Sequence, residues 1–244
     1  MVDTIEGVAS LVNTIQQTQT KPIIFADVES VNLSRYGSVA IIQLLVPPSS
    51  TVYRLDVHVP LDKAFTVPGK SGSTLQDVLE SEEYAKVFFD VRRDSDALYA
   101  HYAIDLKGVI DLQLVEFAGR NNFGGYLAGL AKCINNDARL KCEERTESQQ
   151  IKAGRVRQSA PEHGGSYDVF LERPSSQNMV DYCVQDVLLL PKLLKTYATR
   201  LQDRRYFVHQ VQEYTVERIK VSQSDVFLPN GREMAQPPHF GAEL

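Results

Sequence analysis

The chain has 244 residues, 43% of them hydrophobic, with a formal charge of −5. That is enough apolar chain for one sizeable core, and the acidic balance excludes a global basic field that would announce a polyanion binder. Cys133, Cys142 and Cys183 are scattered and show no Cys-x-x-Cys spacing, which excludes a disulfide framework or zinc site and reads as reduced thiols in a cytoplasmic or nuclear protein.

In chain order, Ile5, Val8, Leu11, Val12 and Ile15 recur at three- and four-residue steps. They predict an amphipathic helix over about residues 3–17. The first side-chain cation is Lys21, behind Asp3 and Glu6, so neither a secretory signal nor an arginine-rich transit peptide is expected. No apolar run approaches the roughly 18 residues of a membrane span, and no membrane association is expected. Strand one is predicted over Pro22 to Val28, strand two over Val39 to Val46 and strand three over Val52 to Leu55. The short Pro47-Pro48-Ser49-Ser50 link makes the last two a hairpin, so strand two has an antiparallel neighbour. After a Gly- and Ser-containing loop come a helix near Leu75 to Ser81 and strand four over Lys86 to Phe89. A helix begins at Asp94, Val109-Ile110 is a fifth strand, and helices follow over Leu112 to Ala118 and Tyr126 to Ile134. Residues 135–165 are polar and lack strong periodicity, the signature of a mobile or functional loop. Ser175 or Ser176 caps the next helix, which Pro191 kinks or ends. A helical stretch follows from Phe207, and the tail over about 222–244 reads as a surface strap or as disordered. Strands alternating with helices predict one α/β domain spanning residues 1–244.

Two pairs of residues carry chemistry. Asp27 and Glu29 close an apolar run, and side chains two apart on a strand share a face. Tyr182 and Asp186 lie four apart, on one face of a helix. Taken singly, the first pair reads as exposed turn acids and the second as a half-buried aromatic beside a solvated acid. Together with an acid from the segment Asp90 to Asp96, they would repel one another unless a hard cation neutralised them. Mg²⁺ and Mn²⁺ take such oxygen ligands and keep waters that a phosphate displaces, so phosphodiester hydrolysis leads.

The order and surrounding text resemble the DEDD 3′–5′ exonucleases, in the branch with a tyrosine in the last motif, which includes ribonuclease D, the Werner-type exonuclease and the proofreading domain of family A polymerases. The likeness runs from about Lys21 to Leu194. It rests on Asp27-Val28-Glu29 followed by Leu33-Ser34-Arg35-Tyr36-Gly37, on Lys86 through Leu98 with Asp111-Leu112-Gln113 behind it, and on Arg173-Pro174 followed by Tyr182-x-x-x-Asp186. Among its members it is most similar to the 3′–5′ exonuclease domain-containing proteins of eukaryotes. Ser30 stands where that family often has glycine, and Phe170 where a tryptophan commonly precedes the Arg-Pro pair.

The resemblance implies a ribonuclease H-like mixed sheet of about five strands flanked by helices. It implies a two-metal mechanism with Mg²⁺ or Mn²⁺, in which Asp27, Glu29 and Asp186 hold one cation, Asp27 bridges to the second, and Asp94 acts through that ion's waters. Tyr182 would orient the attacking water, and nucleoside monophosphates would leave a 3′ end. Helical geometry leaves Asp90, Asp94 and Asp96 open as the third carboxylate; family spacing selects Asp94. Asp111 reads as a helix cap. Six cations, Arg139, Lys141, Arg145, Lys152, Arg155 and Arg157, share a stretch with Glu143, Glu144 and Glu147. They are expected to track the phosphates of a single-stranded RNA or DNA or its 3′ end, or else to be a solvated loop. Arg200, Arg204 and Arg205 read as a helix-end cluster favourable to the macrodipole. The alternatives to an exonuclease are a catalytically weak nucleic-acid-binding adaptor on the same fold, and a protein-interaction module using the tail or insert.

Overall fold

A computed structural model describes residues 1–17, 22–58 and 63–241. The sheet has five strands in the order β3-β2-β1-β4-β5, with β1 at Ile24–Glu29, β2 at Ile41–Leu45, β3 at Val52–Asp56, β4 at Lys86–Phe88 and β5 at Val109–Asp111. β2 is antiparallel to both β1 and β3, whereas β1, β4 and β5 run parallel. The hairpin expectation is therefore met. This is the expected mixed α/β sheet flanked by helices. Lys21, where the resemblance begins, and residues 242–244 of the tail lie outside the described residues.

Alternation along the strands divides the core. Ile24, Ala26, Val28, Ile42, Leu44 and Leu55 face helix α1 (Ile5–Gln16), α2 (Leu75–Glu80) and α3 (Arg92–Tyr102). Phe25, Leu45 and Val87 face the other way, onto α4 (Leu112–Ala118), α5 (Leu130–Asp137) and α8 (Leu190–Leu201). Asp27 and Glu29 share the parity of Phe25, so they emerge on this second face. There α7 (Gln177–Leu188) lies across β1, β2 and β3. A third apolar cluster of Ala40, Ile41, Phe170, Met179 and Cys183 seats α7 on the sheet.

Two expectations need correction, and the alternatives at Pro191 are decided. The stretch 135–165 is not a loop: α5 continues to Asp137, and α6 spans Cys142–Ser159. Its residues are good helix formers, with Glu143 and Glu144 in the first turn and Arg157 in the last, each favourable to the helix dipole. It buries a narrow stripe of small polar residues, Ser148 and Ser159, so no apolar periodicity announces it. Of the two alternatives at Pro191 the helix end holds: α7 stops at Leu188, and Pro191 sits in the first turn of α8, where its missing N–H costs nothing. Arg200 and Arg204 do more than complement a dipole. Arg200 pairs with Asp137, and Arg204 donates to the Arg120 carbonyl and to Asn121. The tail is a strap following α9 (Tyr206–Gln223), pinned by buried Phe227 and Phe240. Among the described residues no helix is long and apolar enough to cross a membrane.

Candidate active site

β1 delivers Asp27 and Glu29, and the Ser176 hydroxyl starts α7 by accepting from the Met179 N–H, which places Tyr182 and Asp186 one turn apart above the strand. One carboxylate oxygen from each of Asp27, Glu29 and Asp186 falls within a cluster no wider than 4.8 Å. Asp94 enters from the first turn of α3 and is nearly buried. Asp94 Oδ1 and Asp186 Oδ1 are buried without a hydrogen-bond partner. Two such orphaned acceptors beside two further acids fit an oxygen-seeking divalent cation.

The electrostatics agree. Burial raises the Asp27 carboxyl well above its usual range, and Glu29, Asp94 and Asp186 push it further. Burial and then Asp186 raise Glu29 from 4.5 to about 8, against the opposing charge of Arg155 and a hydrogen bond from Tyr182. Asp94 is raised by burial and by Asp90. Asp186 is raised by burial, with Tyr182, Lys152 and Arg155 opposing. Carboxyls whose folded-state pKa is raised stabilise the fold only while protonated, and that stability disappears as pH rises through the folded value. In chelator, the melting temperature is therefore expected to fall as pH climbs from about 4.5 to about 8, the window set by Glu29. Mn²⁺ or Mg²⁺ should restore it at the upper end. A melting temperature in chelator that is flat or rising across that window would contradict this account.

The neighbours of Asp94 are committed elsewhere. Asp90 accepts from Arg92 Nε at 2.5 Å and Nη2 at 2.8 Å. Asp96 accepts from the Arg35 amide at 2.8 Å and from its Nε at 2.6 Å. Of the three acids, Asp94 is the one whose charge acts on Asp27 and which keeps an oxygen without a partner. Asp111 caps α4, as expected, and Gln113 donates to the Ala128 carbonyl.

The six cations separate. Arg139, Lys141, Arg145 and Arg157 are exposed. Lys152 and Arg155, one turn apart on α6, lean over the acids. Lys152 Nζ and Arg155 Nε are buried without hydrogen-bond partners, and the Arg155 guanidinium lies 5.1 Å from the Tyr182 ring centre and 5.7 Å from that of Phe170. Phe170 thus supports a cation as well as the core. Ser30 and Ser38 share a hydrogen bond of 2.6 Å that draws in the ends of the loop after β1. Gly37 closes that loop, since a Cβ there would meet the Asn32 carbonyl at 2.0 Å. Sequence reading missed the role of Arg173, which pairs with Asp56 at the end of β3 and donates to the Phe170 carbonyl, fixing the approach to α7. The Arg-Pro signature marked the position but not the partner.

The comparisons with known proteins point the same way. A sequence profile described as 3′–5′ exonuclease matches residues 1–202. No curated protein matches the chain in sequence. Among solved structures, Trypanosoma brucei RNase D in complex with RNA U12 superposes with a TM-score of 0.74 at 19% identity, covering 97% of this chain and 75% of that one. Escherichia coli RNase D, an exoribonuclease involved in structured RNA processing, gives 0.62 at 16% identity, covering 91% of this chain and 49% of that one. Brucella melitensis NrnC gives 0.58 at 16% identity, with 86% and 92% covered. At these identities the likeness is one of fold.

Proposed function

The chain belongs to the 3′–5′ exonuclease family, RNase D-like in fold, and from that premise we propose that it removes nucleoside monophosphates from the 3′ end of single-stranded nucleic acid. The observation that carries this reading is the convergence of Asp27, Glu29 and Asp186 within 4.8 Å, beside an Asp94 oxygen that no protein group satisfies. We propose two divalent cations, Mg²⁺ or Mn²⁺, with Asp27, Glu29 and Asp186 holding one, and Asp27 with Asp94 serving the second. When bound, they would neutralise the acids and stabilise charge on the attacking and leaving oxygens of an in-line displacement.

The remaining steps belong to side chains. Burial, reinforced by Glu29 and Asp186, pushes the Tyr182 phenol far above its usual range. A protonated phenol takes no proton from water, so orienting the attacking water is the role it fits. Lys152 and Arg155 supply the cations that an acidic protein needs where the substrate's phosphates meet four carboxylates. Burial lowers the Lys152 ammonium, and the nearby Asp186 opposes that shift. The exposed Arg139, Lys141, Arg145 and Arg157 extend this field outward along the strand. Buried Cys133 and Cys183 and exposed Cys142 are all free thiols, which supports a reducing cytoplasmic or nuclear setting.

The two tiers of cations should behave differently. Changing Arg139, Lys141, Arg145 and Arg157 to Ser is expected to flatten the salt dependence of binding, by about 0.7 in the log–log slope for each phosphate no longer neutralised. Their turnover at saturating substrate should hold. Adding Lys152→Ser should slow turnover as well. An unchanged salt slope in the fourfold variant would place the strand elsewhere.

A 5′-labelled linear strand beside a covalently closed circle of the same sequence tests the reaction itself. The linear strand should shorten one nucleotide at a time from its 3′ end, and the circle should survive. Cleavage of the circle would replace the exonuclease with an endonuclease, and tight binding without shortening would make the chain an adaptor.

A further inference from the structure

The family match ends at residue 202, yet the chain beyond it is tied to the turn that presents Asp94. That turn needs holding. Asp90 occupies the left-handed backbone region, with φ at +62°, which is costly for a residue other than glycine. No side chain caps the start of α3. The buried Asp111 carboxylate accepts from the Asp90 amide at 3.0 Å and the Val91 amide at 3.4 Å. Asp111 is held in turn by Arg218 of α9, whose Nη1 stands 2.5 Å from Asp111 Oδ2, 3.1 Å from Gln113 Oε1 and 3.7 Å from Asp90 Oδ1.

The strap and the last turn of α9 add three more ties. Arg92 Nη2 donates to the Met234 carbonyl at 2.7 Å. Arg93, the residue before Asp94, donates to the Pro229 carbonyl at 2.9 Å and to Asn230 Oδ1 at 2.6 Å. Arg35, in the loop after the β1 acids, donates to the Ser222 carbonyl at 2.6 Å while its Nε holds Asp96. The side-chain bonds of Arg92 and Arg93 therefore run to the strap or to the Asp90 carboxylate, and none of them takes Asp94 Oδ1, which has no partner.

We propose that α9 and the strap are a positioning element of the cation site, and that Arg218 and Arg93 are positioning residues that aim the Asp94 carboxylate. This rests on the reading of Asp94 as a cation ligand. Groups that orient a ligand without touching the metal are commonly worth 10–100-fold in affinity. Core packing alone would predict a loss of stability with binding unchanged.

The test is Mn²⁺ binding to the full chain, followed by the electron paramagnetic resonance signal of the free ion, with melting temperature recorded in parallel. Arg93→Ala, at an exposed position, and Arg218→Lys, which keeps the charge but loses the fork, should each weaken the more weakly held Mn²⁺ about ten-fold. Arg93→Ala should melt with the unaltered chain. Arg232→Ala, exposed on the same strap, should leave binding unchanged. The proposal is overturned if Arg93→Ala and Arg218→Lys bind Mn²⁺ like the unaltered chain, whether or not they melt earlier. Absence of Mn²⁺ binding by the unaltered chain is a different failure: it would overturn the cation-site reading, and the positioning role with it.

Discussion

Asp186→Asn is expected to slow 3′-end shortening by more than about 100-fold and, in the same protein, to raise the melting temperature in chelator. The loss follows from the site's chemistry. Support groups around a metal ligand are already worth roughly 10–100-fold, and this substitution removes a charged group proposed as a ligand itself. The gain follows from burial. Asp186 is 4% exposed, with one oxygen lacking any partner, and its carboxyl is raised above its usual range chiefly by desolvation. Without cations a buried charge there opposes folding, and asparagine relieves that opposition together with the repulsion it exerts on Glu29 and Asp27. Activity and metal-free stability therefore move in opposite directions, as expected where a site is held against the fold's preference. A variant that loses stability and activity together would mean Asp186 is a structural acid.

The second large effect separates Asp94 from Asp96, two residues along the same helix. Asp94→Ala should cost activity by two orders of magnitude or more, on the same comparison with the groups that merely support a ligand, and should leave melting intact or higher, because it deletes an unsatisfied buried charge. Asp96→Ala should do the reverse. Asp96 is fully buried and accepts two bonds from Arg35. Breaking such a pair from one side costs about 3 kcal/mol or more, which at this size is a fall of roughly 6–12 °C. Residual Asp96→Ala protein should still turn over below its melting range. An inactive but fully stable Asp96 variant would reverse the two assignments.

What the sequence made legible was local. The two-residue spacing of Asp27 and Glu29 needs only a strand, and β1 is one. The four-residue spacing of Tyr182 and Asp186 needs only a helix, and α7 is one. All five strands could be read from short apolar runs along the chain. What stayed hidden was partner choice across long separations. Helical spacing leaves Asp90, Asp94 and Asp96 equivalent; they differ because Arg92 and Arg35 take two of them. Arg218 reaches Asp111 across 107 residues of chain, and nothing near either residue announces it. The helix α6 was hidden for another reason. Its buried stripe is made of Ser148 and Ser159, so a periodicity search for apolar side chains returns nothing, and the six cations could not be sorted until the helix placed Lys152 and Arg155 over the acids.

Four converging acids are proposed to make this chain a cation-dependent enzyme on nucleic acid 3′ ends. The most direct measurement follows nucleoside monophosphate release from single-stranded RNA and single-stranded DNA in Mn²⁺, in Mg²⁺ and in EDTA. Release one nucleotide at a time with a divalent cation, none in EDTA, and recovery when cation is restored in excess is the predicted result. Release that continues undiminished in EDTA, or no release from either polymer with either cation, would contradict it.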